Sequence, residues 1–367
     1  MKNILNNILD FTGGKRFYRF GNSDGKYWIM PARDMRTAMN LYQPSGSKGK
    51  LVKSLLPCLH FLAPVRKVIH AEKLHCRLNG DLRELLCKVF GTRDIEFSIF
   101  EGTPSASQKM ILQINCGKRI LGYCKISERK DIYKLFKQES ENLIWLSNKN
   151  VEGIPQVLFC GAHNGMYLFI QSTAKSNASR IPHDITPQHE NFLDKVYKAT
   201  VQEMPFEESD FHHDISYLKS IIDKINMKER LVVNRAIGLI EEHYKEAGNS
   251  PFSFFHGDFT PWNMYIENGC LQVFDFEFSA RSFPPKMDLI HYFLQIQILE
   301  KRLSADEIHP KLETFKIEYF ISNTLAICYL IHILSFYFKL YNGNFDIHDN
   351  GYIIWNSLLK KQLDNTI

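Results

Sequence analysis

Polar residues of the types used in phosphate and metal chemistry are concentrated in the run FFHGDFTPWNMYIENGCLQVFDFE, residues 254 to 277. Asp258, Asn263, Asp275 and Glu277 lie there, between segments rich in phenylalanine. Carboxylates beside apolar strands cost free energy unless a partner compensates for their desolvation. Internal salt bridges, a metal ion and a catalytic reaction are the three explanations that this pattern leaves open.

A β-hairpin is predicted inside this run. Asn268-Gly269 stands between the apolar stretches MYIE and CLQVF, and Asn-Gly in such a place is the strongest short-range hairpin signal. The hairpin would bring Asn263 and Asp275 nearly opposite each other at its open end, with Asp258 in the loop before the first strand. Converging oxygen donors of this kind suit Mg²⁺, which leaves positions for phosphate oxygens.

The segments that must position these residues show two kinds of sequence pattern, one of mixed strands and helix and one mainly helical. Between 95 and about 172, IEFSIFEG, KMILQI and RILGYCKIS predict strands, DIYKLFKQESENLIWLSN predicts a helix, and PQVLFCGA and MYLFIQS predict a hairpin turning at Asn164-Gly165. From residue 173 onward the pattern is mainly helical. We therefore expect a mixed lobe and a helical lobe that meet near residue 172, and ligand sites favour such junctions.

Residues 1 to 92 form a third region, and nothing in it indicates a chemistry. RFYRFGNSDGKYWIMP predicts two strands around the turn NSDG, and RDMRTAMNLY, LVKSLLPCLHFL and DLRELLCKVFG predict helices, the last ending at a glycine. The polar stretch QPSGSKGK, residues 43 to 50, is predicted to be a loop.

HGD with an asparagine five residues after its aspartate, and a DFE that closes a hairpin, resemble the aminoglycoside phosphotransferase and choline kinase-like group of small-molecule kinases. The resemblance covers about residues 95 to 300. It implies an α+β, two-lobed protein kinase-like fold: a small β-rich N-lobe (93–172) and a larger helical C-lobe (173–367). Residues 1–92 would be an N-terminal extension outside the resemblance.

The resemblance also implies roles for the residues of the run. Asp258 corresponds to the catalytic base of that group, and His256 would orient its loop by hydrogen bonding. Asn263 and Asp275 correspond to the magnesium ligands. Glu277 stands where protein kinases have the glycine of DFG and is a further candidate ligand. PPKMDLIHYFLQ resembles the group's P…DL segment, in which Asp288 has a structural role.

The ATP-binding residues that the resemblance implies lie in the earlier lobe. Lys125 in LGYCKIS would hold the α- and β-phosphates, and Glu139 in QESENLIWL would pair with that lysine. FEGTPSASQK would cover the phosphates, although it has one glycine where related kinases have several. The remaining candidates in this loop and in the adenine pocket are Gly102, Thr103, Ser105, Ser107, Gln171 and Thr173.

These expectations combine into a phosphotransferase that uses ATP and Mg²⁺ to modify a hydroxyl of a small molecule. HGDFTPWN and the long N-terminal region resemble phosphotransferases encoded with bacterial surface-polysaccharide genes, which favours a sugar or glycan precursor as the acceptor. A non-catalytic nucleotide-binding pseudokinase, a choline or ethanolamine kinase and an aminoglycoside kinase are the alternatives. A protein kinase is disfavoured by HGD and by Glu277.

Composition sets limits on partners and location. The 367 residues carry a formal net charge of +5, which suits an anionic small ligand and does not indicate a nucleic-acid binder. The eight cysteines are scattered without a CxxC pair, which predicts reduced thiols and a cytoplasmic protein. The oligomeric state is left open by the sequence.

One segment is long enough to cross a bilayer. Residues 319 to 338, YFISNTLAICYLIHILSFYF, carry no formal charge. Polar side chains interrupt the segment, and it lies late in a chain of otherwise ordinary composition. It is therefore predicted to be a buried core helix, with membrane contact of the protein at most peripheral.

Overall fold

The computed structural model describes residues 2–44, 47–60, 62–105, 108–341 and 350–365. Its strands are β1 Leu9–Gly21, β2 Tyr27–Pro31, β3 Glu72–Leu78, β4 Glu96–Phe100, β5 Met110–Cys116, β6 Arg119–Ser127, β7 Val157–His163, β8 Met166–Ser172, β9 Gln202–Met204, β10 Ser250–Phe255, β11 Met264–Glu267, β12 Cys270–Val273 and β13 Ala280–Phe283.

Its α-helices are α1 Lys2–Ile8, α2 Met35–Ala38, α3 Ser47–Leu59, α4 Ala63–Val68, α5 Gly80–Phe90, α6 Lys130–Asn148, α7 Pro187–Thr200, α8 Asp210–Ile221, α9 Met227–Ala247, α10 Met287–Gln295, α11 Ala305–Glu318, α12 Asn323–Leu340 and α13 Asn350–Asp364. Short helical turns cover Met39–Leu41, Phe206–Glu208, Ile222–Lys224, Pro261–Asn263 and, as a π-helix, Ile296–Glu300.

The chain folds into two compact units. The first contains Met1–Asn148, Glu152–His183 and Met264–Glu277, and the second contains Lys149–Val151, Asp184–Asn263 and Phe278–Ile367. The first unit carries a large antiparallel sheet, whereas the second is mainly helical. The α+β class predicted from the sequence is therefore confirmed.

The sheet of the first unit has eight strands in the order β3-β1-β2-β4-β5-β6-β8-β7. All neighbouring pairs are antiparallel. The strands predicted between 95 and 172 are present, and α6 lies between β6 and β7 as expected. The strands of residues 1–92 belong to this same sheet, because β2 pairs with β4 through Trp28 and Phe100 and through Ile29 and Ile99.

Apolar side chains cover both faces of the N-terminal half of this sheet. Successive residues of a strand point to opposite faces, and β2 shows this alternation. Ile29 packs in a core with residues of α1, α5 and β4–β6. Its neighbours Trp28 and Met30 pack in a second core with residues of α2 and α3. Because both faces are buried, residues 1–92 are held to the sheet by packing as well as by backbone hydrogen bonds.

The predicted Asn-Gly hairpin forms in the first unit. β11 pairs with β12 from Met264–Val273 to Glu267–Cys270. Asn268 and Gly269 have φ values of 50° and 79°, the left-handed conformation that a two-residue type I′ turn requires. This hairpin is distant in sequence from the rest of its unit, because the preceding segment of the first unit ends at His183.

The second unit is built around one helical core. Residues of α8, α9, α10, α11, α12 and α13 supply most of its buried side chains. A three-stranded sheet, β13-β10-β9, lies in the same unit. Polar caps start several of these helices; for example, the Ser304 side chain accepts the Glu307 amide while the Glu307 carboxylate accepts the Ser304 amide.

The charge-free segment forms the buried helix that the sequence predicts. α12 spans Asn323–Leu340 and has eleven buried residues. Within the described residues it is the one helix whose length and hydropathy would suffice to cross a membrane, and 61% of that window is buried inside the protein. Its apolar character is thus used in the core of the second unit.

One prediction about secondary structure is wrong. The loop predicted at residues 43 to 50 is wrong for residues 47–50, because α3 begins at Ser47. The polar residues at the start of this helix give no helical pattern of their own, and the helix packs on the protein through later residues such as Leu56. The region after residue 173 is mainly helical, as predicted, and it also contains the short strands β9, β10 and β13 besides the hairpin. These strands have three to six residues each.

Replacing Ile29 with alanine should test whether residues 1–92 are structurally integral. Ile29 is fully buried, so the cavity left by the smaller side chain should lower the free energy of unfolding by about 2–5 kcal/mol. Ile317 is 78% exposed on α11, and Ile317→Ala is the matched control, with an expected change near zero. Urea unfolding of both variants makes the comparison; equal small effects would contradict the integration of this segment.

Candidate active site

Lys125 lies at the centre of a group of charged side chains in the first unit. Its Nζ is 2.6 and 2.8 Å from the two carboxylate oxygens of Glu139 and 2.5 Å from Oδ1 of Asp275. β6 provides the lysine, α6 provides Glu139, and Asp275 follows β12. The Glu139 carboxylate also accepts the backbone amide of Phe276 at 3.3 Å, which ties the residues after β12 to α6.

A second lysine, Lys109, completes this group and was not identified from the sequence. It lies directly before β5, and its Nζ contacts the Glu277 carboxylate and lies 3.6 Å from Asp275. The Lys109 and Glu277 side chains are 11% and 5% exposed. Lys109 has no motif of its own, since only the pairing of β5 with β6 brings it near Lys125.

Burial and mutual charge set the protonation of this group. Burial acts to lower the pKa of Lys125, but the charges of Asp275 and Glu139 outweigh it, and the pKa lies above its usual value. Burial raises the pKa of Glu139 to about 7 against the opposing effect of Lys125. Burial likewise raises the pKa of Glu277, which Lys109 opposes. Both carboxyls therefore depend on cations to stay ionised.

The acidic side chains of this group fit a divalent cation. Glu139, Asp275 and Glu277 each offer an oxygen, and these oxygens lie within 4.8 Å of one another. In the ion pairs found among the described residues, three carboxylates face two ammonium groups, so acidic groups outnumber basic ones in this cluster. Asp275 is the most accessible of the three, with a side chain 25% exposed. Oxygen donors with an excess of negative charge are what Mg²⁺ prefers.

The sheet face that carries Lys125 also carries two buried polar atoms without partners. Tyr123 pairs with Gln171, and Lys125 pairs with Phe169, across β6 and β8, so these four side chains share one face. Among the described residues, the Tyr123 hydroxyl and the Gln171 Oε1 have no hydrogen-bond partner. Buried polar atoms of this kind mark a place where a ligand can bind.

The segment after β8 is fixed to the hairpin. The Thr173 hydroxyl lies 2.8 Å from the Tyr265 hydroxyl, which also accepts the Ala174 amide at 3.2 Å. Lys175 is buried beside the same ring, and its Nζ donates to the Asn40 carbonyl at 3.3 Å. Burial lowers the pKa of Lys175 to about 7, with a smaller effect from Lys53. Sequence reasoning missed Lys175.

The predicted phosphate-covering loop joins β4 to β5. Gly102 has φ +87°, and a Cβ there would lie 2.2 Å from the Lys109 carbonyl oxygen, so only glycine fits. Thr103 and Ser105 are exposed, whereas Ser107 lies outside the described residues. Glu101, at the base of the loop, accepts two hydrogen bonds from Arg19 of β1, at 2.6 and 3.1 Å.

Asp258 lies in the second unit, in the loop after β10. Its Oδ2 accepts a hydrogen bond from the Asn263 side-chain amide at 2.7 Å, and its Oδ1 lies 3.3 Å from Nε2 of His291. The Tyr329 hydroxyl lies 3.1 Å from the other ring nitrogen of His291. The Asp258 side chain is 31% exposed. Its carboxylate is thus oriented from two sides and remains accessible.

The loop that carries Asp258 is held by Asp288 and His256. The Asp288 carboxylate accepts the backbone amides of His256 at 2.9 Å and Gly257 at 3.4 Å, and the His256 ring accepts the Asp258 amide at 3.2 Å. The structural role expected for Asp288 and the loop contact expected for His256 are confirmed. Gly257 has φ +82°, and a Cβ there would meet the Phe278 carbonyl oxygen at 2.4 Å.

The predicted site residues therefore fall into two groups. The first unit brings together Lys125, Glu139, Asp275 and Glu277, and it also contains the loop and β8 candidates. The second unit brings together Asp258 and Asn263. Because the Asn263 amide nitrogen bonds to Asp258, its oxygen Oδ1 is the atom left for a cation.

Comparison with solved structures identifies the fold. The chain superposes on aminoglycoside phosphotransferase APH(4)-Ia with a TM-score of 0.53 at 12% sequence identity, covering 78% of this chain and 99% of that one. A thermostable variant of that enzyme in a ternary complex with ADP and hygromycin B gives a TM-score of 0.51 at 13% identity, covering 77% and 98%. The kinase-like fold predicted from the sequence motifs is confirmed.

A further variant of APH(4)-Ia, in complex with AMP-PNP and hygromycin B, gives a TM-score of 0.52 at 13% identity over 78% of this chain and 99% of that one. No protein-family model matches the sequence, and no curated protein matches it. At this level of identity the likeness shows the fold alone.

Replacing Lys109 with methionine should leave the buried Glu277 carboxylate without its partner. Breaking a buried ion pair from one side typically costs about 3–5 kcal/mol of unfolding free energy. The double variant Lys109→Met/Glu277→Leu should recover most of that loss. Mg²⁺ should stabilise Lys109→Met more than the wild type, because a cation then replaces the missing ammonium. If the losses of unfolding free energy caused by Lys109→Met and by Glu277→Leu simply add in the double variant, the two side chains do not interact, and the ion pair is contradicted.

Asp288 predicts a pH dependence of stability. Burial raises the pKa of Asp288 to about 7, against the effect of the two backbone amides. A raised folded-state pKa gives a stabilising contribution that is complete below the unfolded value near 4 and disappears as the pH rises through 7. The stability of the wild type relative to Asp288→Asn should therefore fall between pH 4 and 7, by up to about 4 kcal/mol. A pH-independent difference in urea unfolding would contradict this.

Proposed function

We propose that this protein is a phosphotransferase that uses ATP and Mg²⁺ to phosphorylate a hydroxyl of a small molecule. The observation that carries the proposal is the Lys125 ammonium, held within 2.8 Å of Glu139 and 2.5 Å of Asp275 in a chain with the aminoglycoside phosphotransferase fold. A lysine fixed by a glutamate beside a metal-binding aspartate is the recurring apparatus of kinases of this kind.

The nucleotide would bind to the sheet face of β6 and β8. Lys125 would neutralise phosphate charge, with Glu139 holding its ammonium in position. Backbone amides of the loop containing Gly102, Thr103 and Ser105 would contact phosphate oxygens. The segment from Gln171 to Thr173 would line the adenine pocket, where the unpartnered Gln171 Oε1 is suited to accept from the adenine amino group.

Mg²⁺ would be held in the first unit by Asp275, with Glu277 as a further ligand. Asn263, the ligand that the sequence motif adds, belongs to the second unit and offers its Oδ1 there. The three carboxylates of Glu139, Asp275 and Glu277, whose oxygens lie within 4.8 Å of one another, support a cation site in the first unit. Bound metal supplies charge neutralisation on the transferring phosphoryl group. Lys109 would release part of its contact with Asp275 when the cation binds, because both compete for the same carboxylate.

Asp258 would act as the base that accepts the proton of the acceptor hydroxyl. The Asn263 amide and the His291 ring orient its two oxygens, so the carboxylate is preorganised for the transfer. Asp288 positions the backbone of this loop. Phosphoryl transfer depends mostly on positioning and charge stabilisation, and a rigid loop serves the first of these.

A sugar or glycan-precursor hydroxyl is the proposed acceptor. HGDFTPWN and the long N-terminal segment, which resemble polysaccharide-associated phosphotransferases, support this choice. A polycationic drug would call for a concentrated acidic loop in the helical lobe, and EMPFEESD at 203 to 210 is the nearest candidate in the sequence. The fold does not choose among acceptors, so ADP release with sugars, amino alcohols and aminoglycosides is the test.

Asp275→Ala should remove the stabilisation that Mg²⁺-ATP gives to the wild type. A ligand present at a hundredfold excess over its Kd stabilises a protein by about 2.7 kcal/mol, and thermal unfolding with and without Mg²⁺-ATP measures this effect without knowledge of the acceptor. Asp306→Ala is the control, because that side chain is 85% exposed on α11. A wild type that shows no magnesium-dependent stabilisation would overturn the proposal.

Asp258→Asn should separate catalysis from nucleotide binding. The variant should keep its stabilisation by Mg²⁺-ATP and lose roughly 10²–10⁴-fold in turnover, the range expected for removal of a general base. An unchanged rate would contradict the role of Asp258. Binding of Mg²⁺-ATP by the wild type without turnover of any acceptor would instead favour the nucleotide-binding module without catalysis.

A further inference from the structure

The segment between Asp34 and Glu72 has an unusual charge distribution. Residues 35–71 contain no aspartate or glutamate, and they contain six cations, which are Arg36, Lys48, Lys50, Lys53, Arg66 and Lys67. This accounts for more positive charge than the net +5 of the whole chain. A block of cations without acids attracts a polyanionic surface over a distance set by ionic strength.

Helix α3, in this segment, is apolar on the side that faces the protein and also on the side that faces solvent. Val52 and Leu56 pack in the core beneath the sheet face of β1 and β2. Leu51 and Leu55 are 60% and 44% exposed. The latter two lie four residues apart and so share one side of the helix. Exposed Cys58 continues the same side.

The chain after α3 extends this exposed apolar character. Leu62 is 41% exposed and Val68, the last residue of α4, is 79% exposed. A surface pocket of about 510 Å³ in the same segment is lined by Arg66, Lys67 and His70, with two alanines. Exposed aliphatic side chains next to cations, with a basic pocket beside them, are the composition of an interfacial membrane-binding segment.

We propose that α3 and α4 form a surface that docks on an anionic lipid bilayer. The leucines and Val68 would enter the boundary between headgroups and acyl chains. The exposed side chains of Lys50 and Lys67 would approach the lipid phosphates, and the pocket lined by Arg66 would accept a phosphate headgroup. The buried helix α12 has no part in this, so the attachment is peripheral. The proposal does not depend on the proposed activity.

Charge complementarity favours a bilayer over a second copy of the chain. In a two-fold symmetric contact the same patch faces itself, and the cations of residues 35–71 would then repel one another without any acid in the segment to pair with. An anionic bilayer offers negative charge across its whole surface together with an apolar interior. An acidic protein surface is the competing partner, and the vesicle experiment below excludes or favours it.

The test is cosedimentation of the full-length protein with vesicles of phosphatidylcholine alone or mixed with phosphatidylglycerol. The wild type should bind the mixed vesicles, release at high salt, and not bind phosphatidylcholine vesicles. Lys50→Glu/Lys67→Glu should lower the partition coefficient by roughly 25-fold or more, at about fivefold per cation removed. Leu51→Ser/Leu55→Ser should lower it by roughly tenfold.

Helix α9 provides matched controls in the second unit. Met227 and Leu231 are 76% and 67% exposed and lie four residues apart, so Met227→Ser/Leu231→Ser makes the same kind of change elsewhere. Lys228→Glu/Lys245→Glu matches the charge reversal. Each of the four double variants changes side chains that are exposed in the structure. A thermal unfolding midpoint equal to that of the wild type shows that a variant is folded.

Retained binding in the α9 controls, with loss in both α3–α4 variants, supports the proposal. Failure of the wild type to bind the anionic vesicles overturns it and leaves an acidic protein as the partner. Equal loss in the α9 controls, or equal binding to neutral and anionic vesicles, also overturns it, because the cations of residues 35–71 would then not decide the attachment.

Discussion

The buried ammonium of Lys125 is the group on which the first unit depends. Removing a charge from water costs several kcal/mol, which only close counter-ions can offset. Its two counter-ions come from distant parts of the chain, Glu139 on α6 and Asp275 after β12. Satisfying one ammonium therefore fixes three elements at once. The same requirement explains why the hairpin β11–β12 belongs to the unit that holds the large sheet.

Residues 1–92 matter because they support the parts of the first unit that would contact a nucleotide. Arg19 binds Glu101 at the base of the β4–β5 loop. The Thr37 carbonyl accepts from Gln113 in the middle of β5 at 3.0 Å. The Asn40 carbonyl accepts from Lys175 just beyond β8. Each contact involves the backbone or a buried side chain. Gln113 pairs with Tyr123, so its side chain lies on the sheet face that carries Lys125, and the segment supports the proposed nucleotide site from that same face.

How far the sequence predicts this molecule depends on whether a signal is local. The Asn268-Gly269 turn, the β5–β6 strands and the spacing from Asp258 to Asn263 are local patterns, and each is found in the structure. Lys109 is different, because its partner Glu277 is 168 residues away. The pairing of β2 with β4 is also non-local, and no periodicity within either strand encodes it. The domain boundary predicted at residue 92 stays a prediction. The eight-stranded sheet contains strands from both sides of that boundary.

The discontinuous first unit imposes an order of events on synthesis. Residues up to His183 leave the ribosome well before the hairpin that completes the unit, since Met264–Glu277 follows 80 residues of the second unit. Until then, Lys125 has Glu139 as its one carboxylate from this group, and Lys109 has neither Asp275 nor Glu277. The nascent sheet thus waits for a late segment, and contacts of such long sequence separation fold slowly. Chains arrested before residue 264 would expose Lys109 without its two carboxylates, and Lys125 with Glu139 alone, to the chaperones that meet them.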